Sequence, residues 1–155
     1  MKSVSLAIAV SLTGWSERTF WRKCQAGGMQ YEIRGGKSSI PFELIAGHIT
    51  LPLADEDLHI IELADAGNAD AQNDFGLLLL AHARPKSALR WLKLAARQEH
   101  ANAMQELGRC YITGLGTSRD EHLGMMWIAR AAAAGHCIAR GQIDEMFRCF
   151  TAQAH

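Results

Sequence analysis

The chain has 155 residues and a mass of 17.0 kDa, enough for one ordinary domain or two very small ones. At 48% hydrophobic and 21% charged residues it is too apolar for a disordered chain, yet no apolar run approaches the roughly 18 residues of a membrane helix. Sixteen basic and sixteen acidic groups give a formal net charge of zero, a balance that argues against a protein that coats nucleic acid or an acidic membrane. The charges are unevenly spread. Residues 1–41 hold Lys2, Arg18, Arg22, Lys23, Arg34 and Lys37 against Glu17 and Glu32, a net of +4. The remaining 114 residues hold ten basic against fourteen acidic groups, a net of −4. The two parts are expected to meet different partners.

Val4–Leu12 behind Lys2 has the outline of a short signal peptide. Serines interrupt it, no small-x-small cleavage site follows, and it runs into a polar helix start at Ser16. Ser5–Leu12 instead reads as a short apolar helix, broken at Thr13-Gly14-Trp15. Ser16 offers its hydroxyl to the open N–H groups of a second helix, and Glu17 suits the first turn. That helix is predicted over Glu17–Ala26, stopping at Gly27-Gly28. Phe20 and Cys24, four apart, face inward; Arg18, Arg22 and Gln25 stay in water, with Lys23 near the boundary. Gln30–Arg34 and Lys37–Ile40 flank Gly35-Gly36, a hairpin signal because both central residues must tolerate positive φ. The hairpin tip then presents Arg34 and Lys37.

Helix, turn, polar helix and basic hairpin together describe a winged helix-turn-helix. Ser16-Glu17-Arg18-Thr19-Phe20-Trp21-Arg22, Gly27-Gly28 and Ile33–Pro41 leading into Phe42–Ile45 resemble the small excisionase and MerR-type DNA-binding modules. The resemblance implies a domain over 1–50 that binds double-stranded DNA through Ser16, Arg18, Thr19, Arg22, Lys23, Arg34 and Lys37. Arg18 and Arg22 would reach base edges, and Thr19, Lys23, Arg34 and Lys37 would hold phosphates. Trp21 packs on a sugar or belongs to the core; both remain open. About four phosphate contacts make a weak, salt-sensitive monomer, so a homodimer matching paired half-sites is expected.

Residues 51–57, around Pro52, read as a junction, and Asp55-Glu56-Asp57 favour a helix start before Leu58. Beyond it the chain repeats itself. Ala88–Ala96 aligns with Gly124–Ala132 at an offset of 36, setting Trp91 on Trp127 and Ala95-Ala96 on Ala131-Ala132. Ala71–Gly76 aligns with Ala103–Gly108 at an offset of 32. Each unit reads as a helix pair, Ala69–Leu80 with Lys86–Arg97 and Ala101–Thr113 with Arg119–Ala134. Gly76, Ala88, Gly108 and Gly124 let backbones approach, and Phe75, Leu79, Trp91, Leu107, Tyr111 and Trp127 fill the space between helices. His59–Gly67 reads as the end of an incomplete unit and Ile138–Thr151 as a capping helix. Ala69, Ala71, Gln72, Phe75 and Gly76, then Ala101, Ala103, Leu107, Gly108, Tyr111, Gly114, Gly116, Asp120, Trp127, Ala131, Ala132 and Gly135, resemble the Sel-one-like repeat family, a tetratricopeptide-related α-solenoid. The resemblance implies a scaffold for protein contact over 58–155, without catalysis.

Cys24, Cys110, Cys137 and Cys149 lack metal-finger or CxxC spacing and read as buried thiols of a reducing compartment, the cytoplasm. His100 and His136 align at the 36 offset and read as structural, and Cys137 beside His136 has no second cluster to complete a metal site. No GxSxG, phosphate-cradling loop or oriented nucleophile–base pair is present, so neither an enzyme, a cofactor nor a metal is expected. The expected fold class is mostly α, a small winged helix-turn-helix followed by an α-solenoid of helix-pair repeats. The expected function is that of a bacterial DNA-binding transcription regulator whose solenoid dimerises or receives a partner protein. The alternative is an adaptor that no longer binds DNA and acts through protein contacts.

Overall fold

Leu6–Thr13 (α1), LAIAVSLT, has no polar face to turn to water, and a helix apolar all round is stable only inside a protein. The computed structural model describes residues 3–27, 31–34 and 37–152, with the backbone alone for 32–34, 37 and 150–152. In it Ile8, Ala9, Ser11, Leu12 and Thr13 are buried. The Ser5 hydroxyl caps α1 by accepting from the Ile8 amide at 3.4 Å. Gly14 ends it at φ +73°, and a Cβ there would lie 2.6 Å from the Arg84 guanidinium. The left-handed backbone conformation favours glycine at this position.

Four further elements build the front of the chain: Ser3–Val4 (β1), Glu17–Gly27 (α2), Glu32–Arg34 (β2) and Lys37–Pro41 (β3). The strands form an antiparallel sheet in the order β1-β3-β2, with Val4 opposite Ile40 and Arg34 opposite Lys37. That last pairing is the register a two-residue turn imposes; Gly35-Gly36 itself lies outside the described residues. β1 and the short helix Phe42–Ala46 (α3) escape the sequence pattern, since two residues show no alternation and five show little period.

Six helices follow: Asp55–Ala66 (α4), Ala69–Ala81 (α5), Pro85–Arg97 (α6), Ala101–Thr113 (α7), Glu121–Ala133 (α8) and Cys137–Ala152 (α9). α4 begins before Leu58 because the three acids form its first turn, and Asp57 accepts the Ala54 amide at 2.8 Å. The repeats start on one device. Asn68 accepts from the Ala71 amide at 2.8 Å, His100 from Ala103 at 3.2 Å and His136 from Ala139 at 3.1 Å. Both histidines therefore act as N-caps, a structural role as expected. Where α7 crosses α8, a Cβ on Gly108 would stand 2.7 Å from the Gly124 carbonyl, and one on Gly124 would stand 2.7 Å from the Gly108 carbonyl. The two backbones touch.

Two clusters make the core. One joins α1, Phe20 and Cys24 of α2, Ile40, Ile45 and Leu51 to Ile61, Phe75, Leu79 and Trp91; the other lies among α6, α7 and α8. The first runs across residues 51–57 without a break. Polar contacts cross with it: Trp91 Nε1 donates to Ser11 Oγ at 2.9 Å, the Ser5 amide to Asp65 at 2.9 Å, and Arg84 to the Ser11 carbonyl at 3.0 Å and to Thr50 Oγ1. Trp91 and Trp127, equal in sequence, differ here. Trp91 is 2% exposed, whereas Trp127 is half-buried with the Arg130 guanidinium 4.8 Å above its ring, because no counterpart of α1 among the described residues covers it.

Gly108→Ala should destabilise the protein by about 1–3 kcal/mol, the usual cost of overpacking. Gly141→Ala, where a Cβ meets nothing within 4 Å, should stabilise by about 0.5–1 kcal/mol through helix propensity. Urea titration followed by circular dichroism checks both.

Candidate functional site

Two surfaces stand out. The first is the outer side of α2, where Ser16 Oγ accepts from the Thr19 amide at 3.1 Å and lies 2.9 Å from the Thr19 hydroxyl. Each hydroxyl thus has a local partner within the cap. Arg18, Arg22 and Gln25 are exposed at successive turns, and Arg18, Thr19, Trp21, Arg22 and Gln25 border one shallow hollow. Phe20 and Cys24 are buried on the opposite side. Trp21 is half-buried, edge-on to Phe20 at 5.5 Å and tilted against Tyr31 at 4.8 Å between ring centroids. It packs with the core as much as it faces the hollow. The Lys23 ammonium sits 4.6 Å from the centre of the Trp15 ring, drawn to its negative face. Glu17 pairs with Arg90 of α6 at 3.2 Å. The side chains of Arg34 and Lys37 lie outside the described residues. Arg18, Thr19 and Arg22 are thus brought together, and Lys23 is turned toward Trp15.

The second surface was not foreseen. A capping helix should offer a polar outer side, but α9 exposes Ile138 at 63% and Phe147 at 68%, and α8 exposes Met126 at 61%. Met125 and Met146 add to the patch. Between the helices is a hollow of about 660 Å³ lined by His122, Met125, Met126, Ala129, Ile143, Met146 and Phe147. A neighbouring one of about 570 Å³ runs to Ile112, Ile128 and Cys149. The first hollow joins Met125, Met126, Met146 and Phe147, while Ile138 lines neither hollow. Contiguous apolar surface of this kind marks a contact site, and unbranched methionines let it fit differing shapes. The sequence does carry the signal, in mismatches between repeats rather than matches. At the 36 offset Met126 replaces Arg90 and Ile138 replaces Asn102, both exposed polar residues in the preceding repeat.

The cysteines divide. Cys24 and Cys110 are buried, and burial pushes both thiols above their ordinary value. Cys137 and Cys149 are exposed on α9, which corrects the expectation of four buried thiols. Among the described residues, no helix is long and apolar enough to cross a membrane.

A family model described as Sel1 repeat matches residues 84–100 and 101–136, which are α6, α7, α8 and their connections. The chain is 30% identical over 92 residues to a sel1-like repeat-containing protein of Acanthamoeba polyphaga mimivirus, covering 57% of this chain and 17% of that protein. It is similar, at 31% identity and a TM-score of 0.54, to the crystal structure of a Sel1 repeat protein from Oxalobacter formigenes, over 57% of this chain and 27% of that one. The chain therefore spans less than a third of the length of either.

Maleimide labelling of the folded protein near neutral pH should modify Cys137 and Cys149 within minutes. Cys24 and Cys110 should react only on unfolding, because burial withholds both access and thiolate. Mass spectrometry of the quenched digest assigns each site.

Proposed function

Since residues 84–136 are Sel1 repeats, we propose that this protein is an adaptor that works by holding other polypeptides, with the α8–α9 end as its gripping surface. The observation that carries the reading is the exposure of Met126 and Ile138 where the preceding repeat has charged or polar residues. Fully burying one such side chain is worth about 1.5–3 kcal/mol, so a few of them supply the centre of an interface. Repeat arrays bury their apolar faces only on a neighbour, and among the described residues α8 and α9 keep apolar side chains exposed.

A second reading rests on α2. Exposed Arg18, Arg22 and Gln25 beside an antiparallel hairpin suit a winged helix-turn-helix reading DNA. In that reading the chain is a homodimeric transcription regulator, with Arg18 and Arg22 on base edges and Thr19, Lys23, Arg34 and Lys37 on phosphates. The Trp15 ring under Lys23 weakens its part as a phosphate contact. A guanidinium bidentate to guanine contributes about 1–3 kcal/mol of discrimination, so Arg18→Ala with Arg22→Ala should abolish any retention of genomic fragments in a low-salt gel shift.

For the adaptor reading, nuclease-treated pull-downs compare the native chain with Met126→Lys/Ile138→Lys by quantitative mass spectrometry. Proteins retained by the native chain should fall about tenfold or more with the variant. Equal retention by both chains overturns this reading.

A further inference from the structure

All charges of α6 have one sign. Lys86, Arg90, Lys93 and Arg97 recur at steps of four, three and four residues and so share a face. Arg84 precedes them, and no acid occurs anywhere in 84–97. α7 and α9 hold both signs and pair them, Glu106 with Arg109 at 2.6 Å and Glu145 with Arg148 at 3.0 Å, whereas α4 and α5 carry acids and neither Lys nor Arg. Like charges at this spacing repel, and Lys86 in the first turn also opposes the helix dipole. The arrangement costs stability that alternating charges would have added. Counting charge over the whole C-terminal part hides it, since acids elsewhere outnumber these bases.

Packing explains part of the stripe only. Arg90 pairs with Glu17, and the Lys93 ammonium lies 5.5 Å from the centre of the Tyr111 ring. Lys86 and Arg97 are exposed and make no ion pair among the described residues. The four cations border a hollow of about 520 Å³ with Leu89, Leu94, Gly116 and Thr117. Its far wall, the connection between α7 and α8, is fixed in place. Gly116 has φ +77°, and a Cβ there would stand 2.6 Å from the backbone of Pro85 at the start of α6. The result is a groove with cations along one side and leucines among them.

We propose that the groove between α6 and the α7–α8 connection takes an acidic segment of a partner protein. Its carboxylates would meet Lys86, Arg90, Lys93 and Arg97 over roughly 16 Å, the length of eleven residues of helix at 1.5 Å each. An apolar residue between the acids would rest on Leu89 and Leu94. The leucines favour a peptide over nucleic acid, whose phosphate backbone has no use for an apolar wall. This inference rests on the adaptor reading for the class of partner, but uses a surface other than the α8–α9 end.

The test is fluorescence anisotropy on the full chain with two labelled probes, a synthetic peptide of repeated Glu-Leu-Glu-Glu and a mixed-sequence DNA duplex. The native chain should bind the peptide saturably, and more weakly as salt rises. Lys86→Gln/Arg97→Gln and Lys86→Glu/Arg97→Glu should each weaken peptide binding by about tenfold or more. Lys86→Arg/Arg97→Lys should restore it, and Arg18→Ala/Arg22→Ala should leave it within about twofold. Circular dichroism confirms that each variant is folded. The proposal is overturned if the peptide fails to saturate or if both charge-removing variants bind it as the native chain does. It also falls if the duplex displaces the peptide and itself depends on Lys86 and Arg97, which would make the stripe a nucleic-acid surface. Loss of peptide binding alongside unaffected pull-downs through Met126 and Ile138 would separate the two surfaces. Failure of the pull-downs alone would strike the adaptor reading and leave the peptide result standing.

Discussion

Helix α1 cannot be left in water, and much of the architecture is arranged around covering it. The sheet and α2 cover it from one side and the repeat helices from the other, so Ile8, Leu12, Phe20, Ile61, Phe75 and Trp91 belong to one cluster. At its centre a polar contact sets the register. Ser11 is 1% exposed; its hydroxyl donates to the Ala7 carbonyl at 2.8 Å and accepts the Trp91 indole N–H at 2.9 Å. Neither group could be buried alone without losing the water it bonds in the unfolded chain. The pair therefore admits one way of laying α6 on α1. Arg84, bonded to the Ser11 carbonyl and to Thr50, fixes the same junction from its edge.

The same packing reaches both basic surfaces. The shared core joins α2 to the repeat helices, and Glu17 of α2 pairs with Arg90 of α6. An exposed ion pair of this kind adds little stability, so the buried side chains set how the arginine pair on α2 lies relative to the cationic stripe on α6.

At the opposite end the same logic works in reverse. Trp91 is covered because α1 lies over it; Trp127, its equivalent one repeat later, is half-buried, with Arg130 over part of its ring. α9 covers α8 incompletely, and the exposed side chains are methionines, isoleucine and phenylalanine, with Met126 and Ile138 where the preceding repeat has Arg90 and Asn102. One end of the array is closed by its own chain. The other, among the described residues, keeps apolar side chains exposed.

Much of this was legible in the sequence because it is local. The repeat offsets, the glycines at helix crossings, the structural rather than metal-binding place of His100 and His136, and the exposure of Arg18 and Arg22 on α2 follow from spacing and side-chain chemistry. They come out of the structure as expected. The short elements β1 and α3 did not show, since their stability comes from the neighbours they pair with rather than from a pattern of their own. Three outcomes also depend on which surfaces meet in space. Lys23 turns to Trp15 across the turn between α1 and α2, Cys137 and Cys149 are exposed because no described element packs on the outer side of α9, and the core continues through residues 51–57. The tertiary structure alone decided these. Burial is a property of what packs on a residue from distant parts of the chain, and a linear sequence with equal repeats assigns equal burial to Trp91 and Trp127, which the fold then makes different.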